Sequence, residues 1–238
     1  MENGIYKYRV LIPNSFTALS LVLGLISLQH TMDQKFVLAA WFIAASMACD
    51  FLDGKLARLL NAQSKFGALF DTLADFVAFG VVPGFLAYKI ALHKLGIIGA
   101  VVSIFYILSG GYRLVRFTLA ENFSTNKQPF IGLPIPAAGG IISSFIILNF
   151  YYWNSIKSID SLLALTFISG LLMVSKIEYL PLDKGKKLSR ESKLFIALAF
   201  LSAIAAFWYP YFIFILWIII YVLYGLIRHI VLRYKKKN

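Results

Sequence analysis

Residues 36–60 read FVLAAWFIAASMACDFLDGKLARLL, and residues 66–90 read FGALFDTLADFVAFGVVPGFLAYKI. Each run is long enough to cross a hydrocarbon layer of about 30 Å, which takes roughly 20 helical residues. Yet the two runs carry Asp50, Asp53, Asp71 and Asp75. An aspartate in a membrane helix costs about 2.5–3.5 kcal/mol on insertion scales, so four cost on the order of 10 kcal/mol. A cost of that size requires compensation, and the spacing indicates what supplies it.

At 100° per residue, Asp50, Asp53, Gly54, Ala57 and Arg58 fall within an arc of about 140°, and Gly67, Asp71 and Asp75 within about 80° on the next helix. The segment between, Leu59 to Phe66, is a short turn containing Asn61, Gln63, Ser64 and Lys65. Two antiparallel helices joined in this way can face four carboxylates into one cavity. Four like charges repel unless cations intervene, and hard oxygen ligands suit Mg²⁺ or Mn²⁺, two of which would balance the charge. Gly54 and Gly67 each cost about 1 kcal/mol of helix propensity relative to alanine. With Ala57 they leave room for a bulky phosphorylated substrate.

The rest of the chain agrees with a membrane setting. Of its 238 residues 60% are apolar and 14% charged, and the mean hydropathy is +0.77. A soluble or disordered chain is excluded. One cysteine, Cys49, rules out an intramolecular disulfide framework. Apolar runs lie at 12–31, 36–60, 66–90, 95–119, 132–153, 159–175, 194–208 and 211–227, which predicts an all-α polytopic membrane protein of about eight transmembrane helices. The last two runs are short and meet at Trp208, Tyr209 and Pro210, so a single broken helix is a rival reading there.

With eight spans, 19 of the 23 Lys and Arg residues fall on one face, leaving Lys35, Lys89, Lys94 and Lys157 on the other. The positive-inside rule then places both termini in the cytoplasm and the carboxylate cavity toward the cytoplasmic side of the cell membrane. The net charge of +12 follows from basic loops beside an anionic leaflet and requires no nucleic-acid partner. The first apolar run, with no small-residue cleavage pattern after it, reads as an anchor and not as a signal peptide. His30 and His93 map to the opposite face and His229 to the distal end, which argues against a serine or cysteine triad. No nucleotide-binding glycine loop or paired Cys/His zinc spacing is present.

Asp50-x-x-Asp53-Gly54-x-x-Ala57-Arg58, eight residues, Gly67, three residues, Asp71, three residues, Asp75 resembles the complete signature of the CDP-alcohol phosphatidyltransferase family. The resemblance implies a dimeric membrane enzyme that moves a phosphatidyl group from a CDP-linked lipid to an alcohol and releases CMP. It implies that Asp50, Asp53, Asp71 and Asp75 hold two Mg²⁺ or Mn²⁺ ions, and that Asp75 is also the base for the incoming hydroxyl. Gly54, Arg58 and Ser64 would bind the cytidine diphosphate moiety beside Ala57 and Gly67, with Asn14 and Thr17 lining the nucleotide pocket from the first helix. Because a carboxylate held tightly by metal is a poor base, acidification of the alcohol by the metal is an alternative.

Tyr112-Arg113-Leu114-Val115-Arg116-Phe117-Thr118, with the later Phe130-Ile131-Gly132-Leu133-Pro134-Ile135-Pro136, resembles the phosphatidylserine synthase branch of that family. Val115 and Thr118 depart from the branch's usual alanine and asparagine. The branch implies transfer from CDP-diacylglycerol to L-serine, giving phosphatidylserine and CMP. Arg113 and Arg116, three apart on one helical face, suit anchoring of the alcohol's carboxylate or of a phosphate. Residues 1–180 are the expected family domain, and 181–238 a connector, two further helices and a basic tail. An acceptor such as glycerol 3-phosphate or inositol phosphate is the nearest enzymatic rival. A cation transporter using the intramembrane acids is the rival of another class.

Overall fold

The computed structural model describes residues 2–123, 130–179, 212, 214–220 and 223–224. Its helices, in chain order, are α1 (Glu2–Met32), α2 (Phe36–Leu59), α3 (Lys65–Asp75), α4 (Val82–Ile90), α5 (Ile97–Phe123), α6 (Ile135–Trp153) and α7 (Ile159–Val174). A π-helical segment, Phe76–Val81, joins α3 to α4, so residues 65–90 form one membrane-length rod. Among the described residues five helical stretches are long and apolar enough to span a membrane, and α7 is a shorter apolar helix. The described residues are thus helical, as in a polytopic membrane protein, apart from one short pairing of strands β1 (Phe130–Ile131) and β2 (Glu178–Tyr179). The expected connector, the seventh run at 194–208 and the basic tail lie outside the described residues.

In lipid the hydrophobic effect does little to join helices, so close packing and interhelical hydrogen bonds must do so. The α1–α2 pair shows both. Ser20 and Ser46 are 2.8 Å apart at their hydroxyls, and Ser27 donates to the Ala39 carbonyl at 2.7 Å. Ala39, Ala40 and Ile43 of α2 are completely buried there. Helices α5 and α7 pair in the same way, and α6 fills the space between α2 and the 65–90 rod. The described part of the last apolar run packs on this bundle. Ile218 is buried near Gly140, and Phe214 lies beside Trp41.

The turn between α2 and α3 has a definite local cause. Asn61 adopts φ = 49°, the left-handed conformation that asparagine tolerates better than most residues. The Asn61 N–H reaches back to the Arg58 carbonyl and the Ala62 N–H to the Ala57 carbonyl, closing α2 with a Schellman motif. Ser64 then opens α3 as its N-cap, its Oγ accepting from the Gly67 N–H at 3.0 Å. The reversal takes five residues, 60–64. It sets the two acidic helix segments side by side.

Candidate active site

The carboxylate oxygens of Asp50, Asp53 and Asp71 lie within 4.8 Å of one another. Asp75 stands one turn beyond Asp71, outside that trio, with its carboxyl at hydrogen-bonding range of Asp50. All four expected acids therefore form one cluster, built by the ends of α2 and α3 that the 60–64 turn holds together. Thr17 of α1 donates to Asp53 Oδ2 at 2.7 Å, with both residues buried. This bond, together with one from the Gly54 backbone, orients the Asp53 carboxylate.

A cavity of about 770 Å³ opens onto the cluster. Asp53 and Asp71 line it together with every residue expected to bind the CDP-lipid: Asn14, Thr17, Gly54, Ala57, Arg58, Ser64 and Gly67. The two glycines serve different ends. A Cβ at Gly67 would lie 2.8 Å from Asn14 Oδ1 and 3.0 Å from Ser64 Oγ, so glycine gives the Asn14 side chain and the Ser64 cap the room they occupy. A Cβ at Gly54 would meet no protein atom nearer than an Arg58 guanidinium nitrogen at 3.9 Å, so that backbone is bare toward the cavity.

Sequence reasoning assigns no role to Gln63, Lys65, Thr72, Phe117 and Thr118, which also line the cavity. Lys65 and Gln63 are recognisable as turn residues, and Phe117 and Thr118 as members of the α5 motif. Only the course of α5 past the cavity shows that they belong to its wall. Arg58, Lys65 and the N-terminus of α3 contribute positive potential to the cavity that the carboxylates also line.

The two arginines of α5 part company. Arg113 is 5% exposed and close enough to Asp75 to offset part of its charge. Arg116 turns to the main chain, its guanidinium donating to the carbonyls of Ile131 at 2.7 Å and Val174 at 3.0 Å, with Met173 and Ser175 at 3.4 Å. Those carbonyls include the last ones of α7, which have no intrahelical donor. Gly132 completes this junction. Its φ is +84°, and a Cβ there would collide with the Met173 carbonyl and Arg116.

Residues 10–178, which carry the carboxylate quartet and the cavity, match a family model described as CDP-alcohol phosphatidyltransferase. The chain belongs to that family. Family members of known name are similar along most of its length. A Helicobacter pylori protein named CDP-diacylglycerol--serine O-phosphatidyltransferase is 40% identical over 227 residues, covering 94% of this chain and 93% of that one. Proteins of the same name from Bacillus subtilis (38% identical; 71% of this chain, 89% of theirs) and Methanocaldococcus jannaschii (35%; 79% and 82%) are also similar. As a CDP-alcohol phosphatidyltransferase the chain is expected to use divalent metal. The donor set fits that expectation, since three hard carboxylate oxygens converge within 4.8 Å with a fourth acid adjoining.

Proposed function

We propose that this protein transfers the phosphatidyl group of CDP-diacylglycerol to the hydroxyl of L-serine, giving phosphatidylserine and CMP. The observation that carries the reading is the convergence of Asp50, Asp53 and Asp71 at a cavity walled by Gly54, Arg58, Ser64 and Gly67. The serine synthases named above supply the choice of alcohol.

Asp50, Asp53, Asp71 and Asp75 would hold two Mg²⁺ or Mn²⁺ ions, which would neutralise the pyrophosphate and stabilise the departing phosphate oxygen. The chain's own groups do the rest. Arg58, Lys65 and the α3 N-terminus attract the pyrophosphate, and the bare backbone at Gly54 lets it approach. Asn14 and Thr17 line the nucleotide side. Asp75 accepts the serine hydroxyl proton as the new oxygen–phosphorus bond forms and the bond to CMP breaks. Arg113, buried beside Asp75, supplies the positive charge that a serine carboxylate or a lipid phosphate requires.

The distribution of basic residues supports an orientation in which both termini and the cavity face the cytoplasm, and the family supports a homodimer in the cell membrane. The test is an assay of the detergent-solubilised protein with labelled serine and CDP-diacylglycerol, with and without Mn²⁺ or Mg²⁺. Expected is metal-dependent labelled phospholipid with stoichiometric CMP, lost in Asp71→Ala. Product from glycerol 3-phosphate or inositol phosphate in place of serine would overturn the acceptor and keep the reaction. No product from any alcohol would overturn the reading altogether.

A further inference from the structure

The π-helical segment Phe76–Val81 begins at the residue after Asp75 and has a local cause. Pro83 has no N–H to give the carbonyl four residues back, that of Phe79, and its ring crowds that oxygen. The chain widens by a residue in the turn before it, as helices do at such points. A carbonyl left without its helical donor inside a membrane costs free energy unless another group satisfies it. Tyr106 of α5 does so. Its hydroxyl donates to the Phe79 carbonyl at 2.8 Å, and both residues are completely buried.

Helix α5 meets the segment at two further points and the residue before it at a third. Gly110 lies against Gly80, where a Cβ would come within 3.7 Å of the Gly80 Cα. Gly111 lies against the Phe76 ring, where a Cβ would come within 3.1 Å. Arg113 lies near Asp75. Tyr106, Gly110 and Arg113 recur at i, i+4 and i+7, one face of α5. The same helix face thus grips the π turn at one end and carries the guanidinium beside Asp75 at the other.

We propose that Tyr106 is a positioning residue for the reaction: its hydroxyl fixes the π turn by capping the Phe79 carbonyl, and the fixed turn holds Asp75 against Asp50 and beside Arg113. The proposal rests on the role given to Asp75 above. Tyr106→Phe keeps the ring and its packing but removes the hydroxyl bond to the Phe79 carbonyl, which frees the turn to shift. Because Asp75 is the residue directly before that turn, a shift moves its carboxyl relative to Asp50.

The experiment compares the parent, Tyr106→Phe and Asp75→Asn as purified full-length proteins in detergent. It reads kcat, KM for serine and for CDP-diacylglycerol, thermal midpoint, and Mn²⁺ affinity by electron paramagnetic resonance. Expected for Tyr106→Phe is a kcat at least tenfold lower, both KM values within twofold, and a Mn²⁺ dissociation constant raised at least threefold. A purely structural role would lower the thermal midpoint and leave these values per folded molecule alone. Turnover and Mn²⁺ affinity within twofold of the parent, with Asp75→Asn inactive, overturn the proposal and leave the role of Asp75 standing. Turnover lost with Mn²⁺ affinity unchanged also overturns it, since the effect would then bypass the carboxylates. Full turnover in Asp75→Asn overturns the parent reading and the proposal with it. If Tyr106→Phe does not fold, Gly111→Ala, which presses on the Phe76 ring from a neighbouring face of α5 and so displaces the same turn, carries the test with the same readouts.

Discussion

Thr17 and Asp53 are 36 residues apart in sequence and joined by a 2.7 Å hydrogen bond in which the threonine hydroxyl donates to the carboxylate. The bond ties α1 to the acidic end of α2 in a place almost closed to solvent, with Thr17 3% and Asp53 4% exposed. It also leaves the carboxylate with one oxygen committed.

A hydrogen bond to a charged group contributes about 1.5–3 kcal/mol, so its loss corresponds to roughly tenfold or more in whatever depends on it. Thr17→Val, which keeps the shape, is expected to raise the Mn²⁺ concentration for half-maximal activity by about tenfold. Thr17→Ser keeps the hydroxyl and is expected to stay near the parent. A metal titration of initial rates checks both, and equal behaviour of the two variants would show that the bond does not orient a metal ligand.

The two glycines of the cavity predict opposite signatures. Gly67→Ala places a methyl 2.8 Å from Asn14 Oδ1 and 3.0 Å from Ser64 Oγ, so both side chains must give way, disturbing the α3 cap and the cavity wall, and both thermal midpoint and activity should fall. Gly54→Ala meets no crowding from the protein and gains about 1 kcal/mol of helix propensity. Its thermal midpoint should hold or rise while KM for CDP-diacylglycerol increases about tenfold. Measuring both quantities on both variants separates a packing glycine from a ligand-facing one.

The spacing of Asp50, Asp53, Asp71 and Asp75 is enough to make the acidic cluster legible, because 3.6-residue periodicity decides which side chains share a face. Gly54, Ala57, Arg58 and Gly67 of the cavity wall are legible for the same reason, whereas Asn14 and Thr17, on a helix distant in sequence, enter through the family resemblance. The π turn is not legible. Pro83 marks a disturbance in a helix, but the π turn beside it, and the Tyr106 hydroxyl that meets its Phe79 carbonyl from another helix, appear only in the fold. The difference between Arg113 and Arg116 is equally hidden, since spacing puts both on one face. Only the approach of the α7 end and the Gly132 bend shows which of them meets main-chain carbonyls.

Asn61 tests the turn that aligns the two acidic helices. Its φ of 49° costs a β-branched residue more than it costs asparagine, on the order of 1–2 kcal/mol. Asn61→Val should lower the thermal midpoint in detergent and raise the metal requirement, because α2 and α3 lose their fixed offset. Asn61→Gly should match or exceed the parent in stability. A pair of thermal melts with a Mn²⁺ titration decides it, and an unchanged Asn61→Val would show that the Schellman closure does not set the carboxylate geometry.

Arg113 and Arg116 should fail in different ways when truncated. Arg116→Ala removes the donor that serves the end carbonyls of α7 and the Ile131 carbonyl, so those groups must find other partners. The expected result is a lower thermal midpoint, partly recovered by Arg116→Lys, with KM for serine unchanged in the folded fraction. Arg113→Ala removes buried positive charge next to Asp75, and its expected signature is a loss of turnover per folded molecule of at least a hundredfold together with a lower thermal midpoint, because Asp75 is left buried without its neighbouring charge. Arg113→Lys restores the charge without the planar fork and should recover only part of the activity, since a point charge cannot make the paired contacts of a guanidinium. Steady-state kinetics on serine and melting curves for all four variants distinguish the two roles. A raised serine KM in Arg116→Ala, with Arg113→Ala unaffected, would reverse the assignment and make Arg116 the ligand-facing residue of the pair.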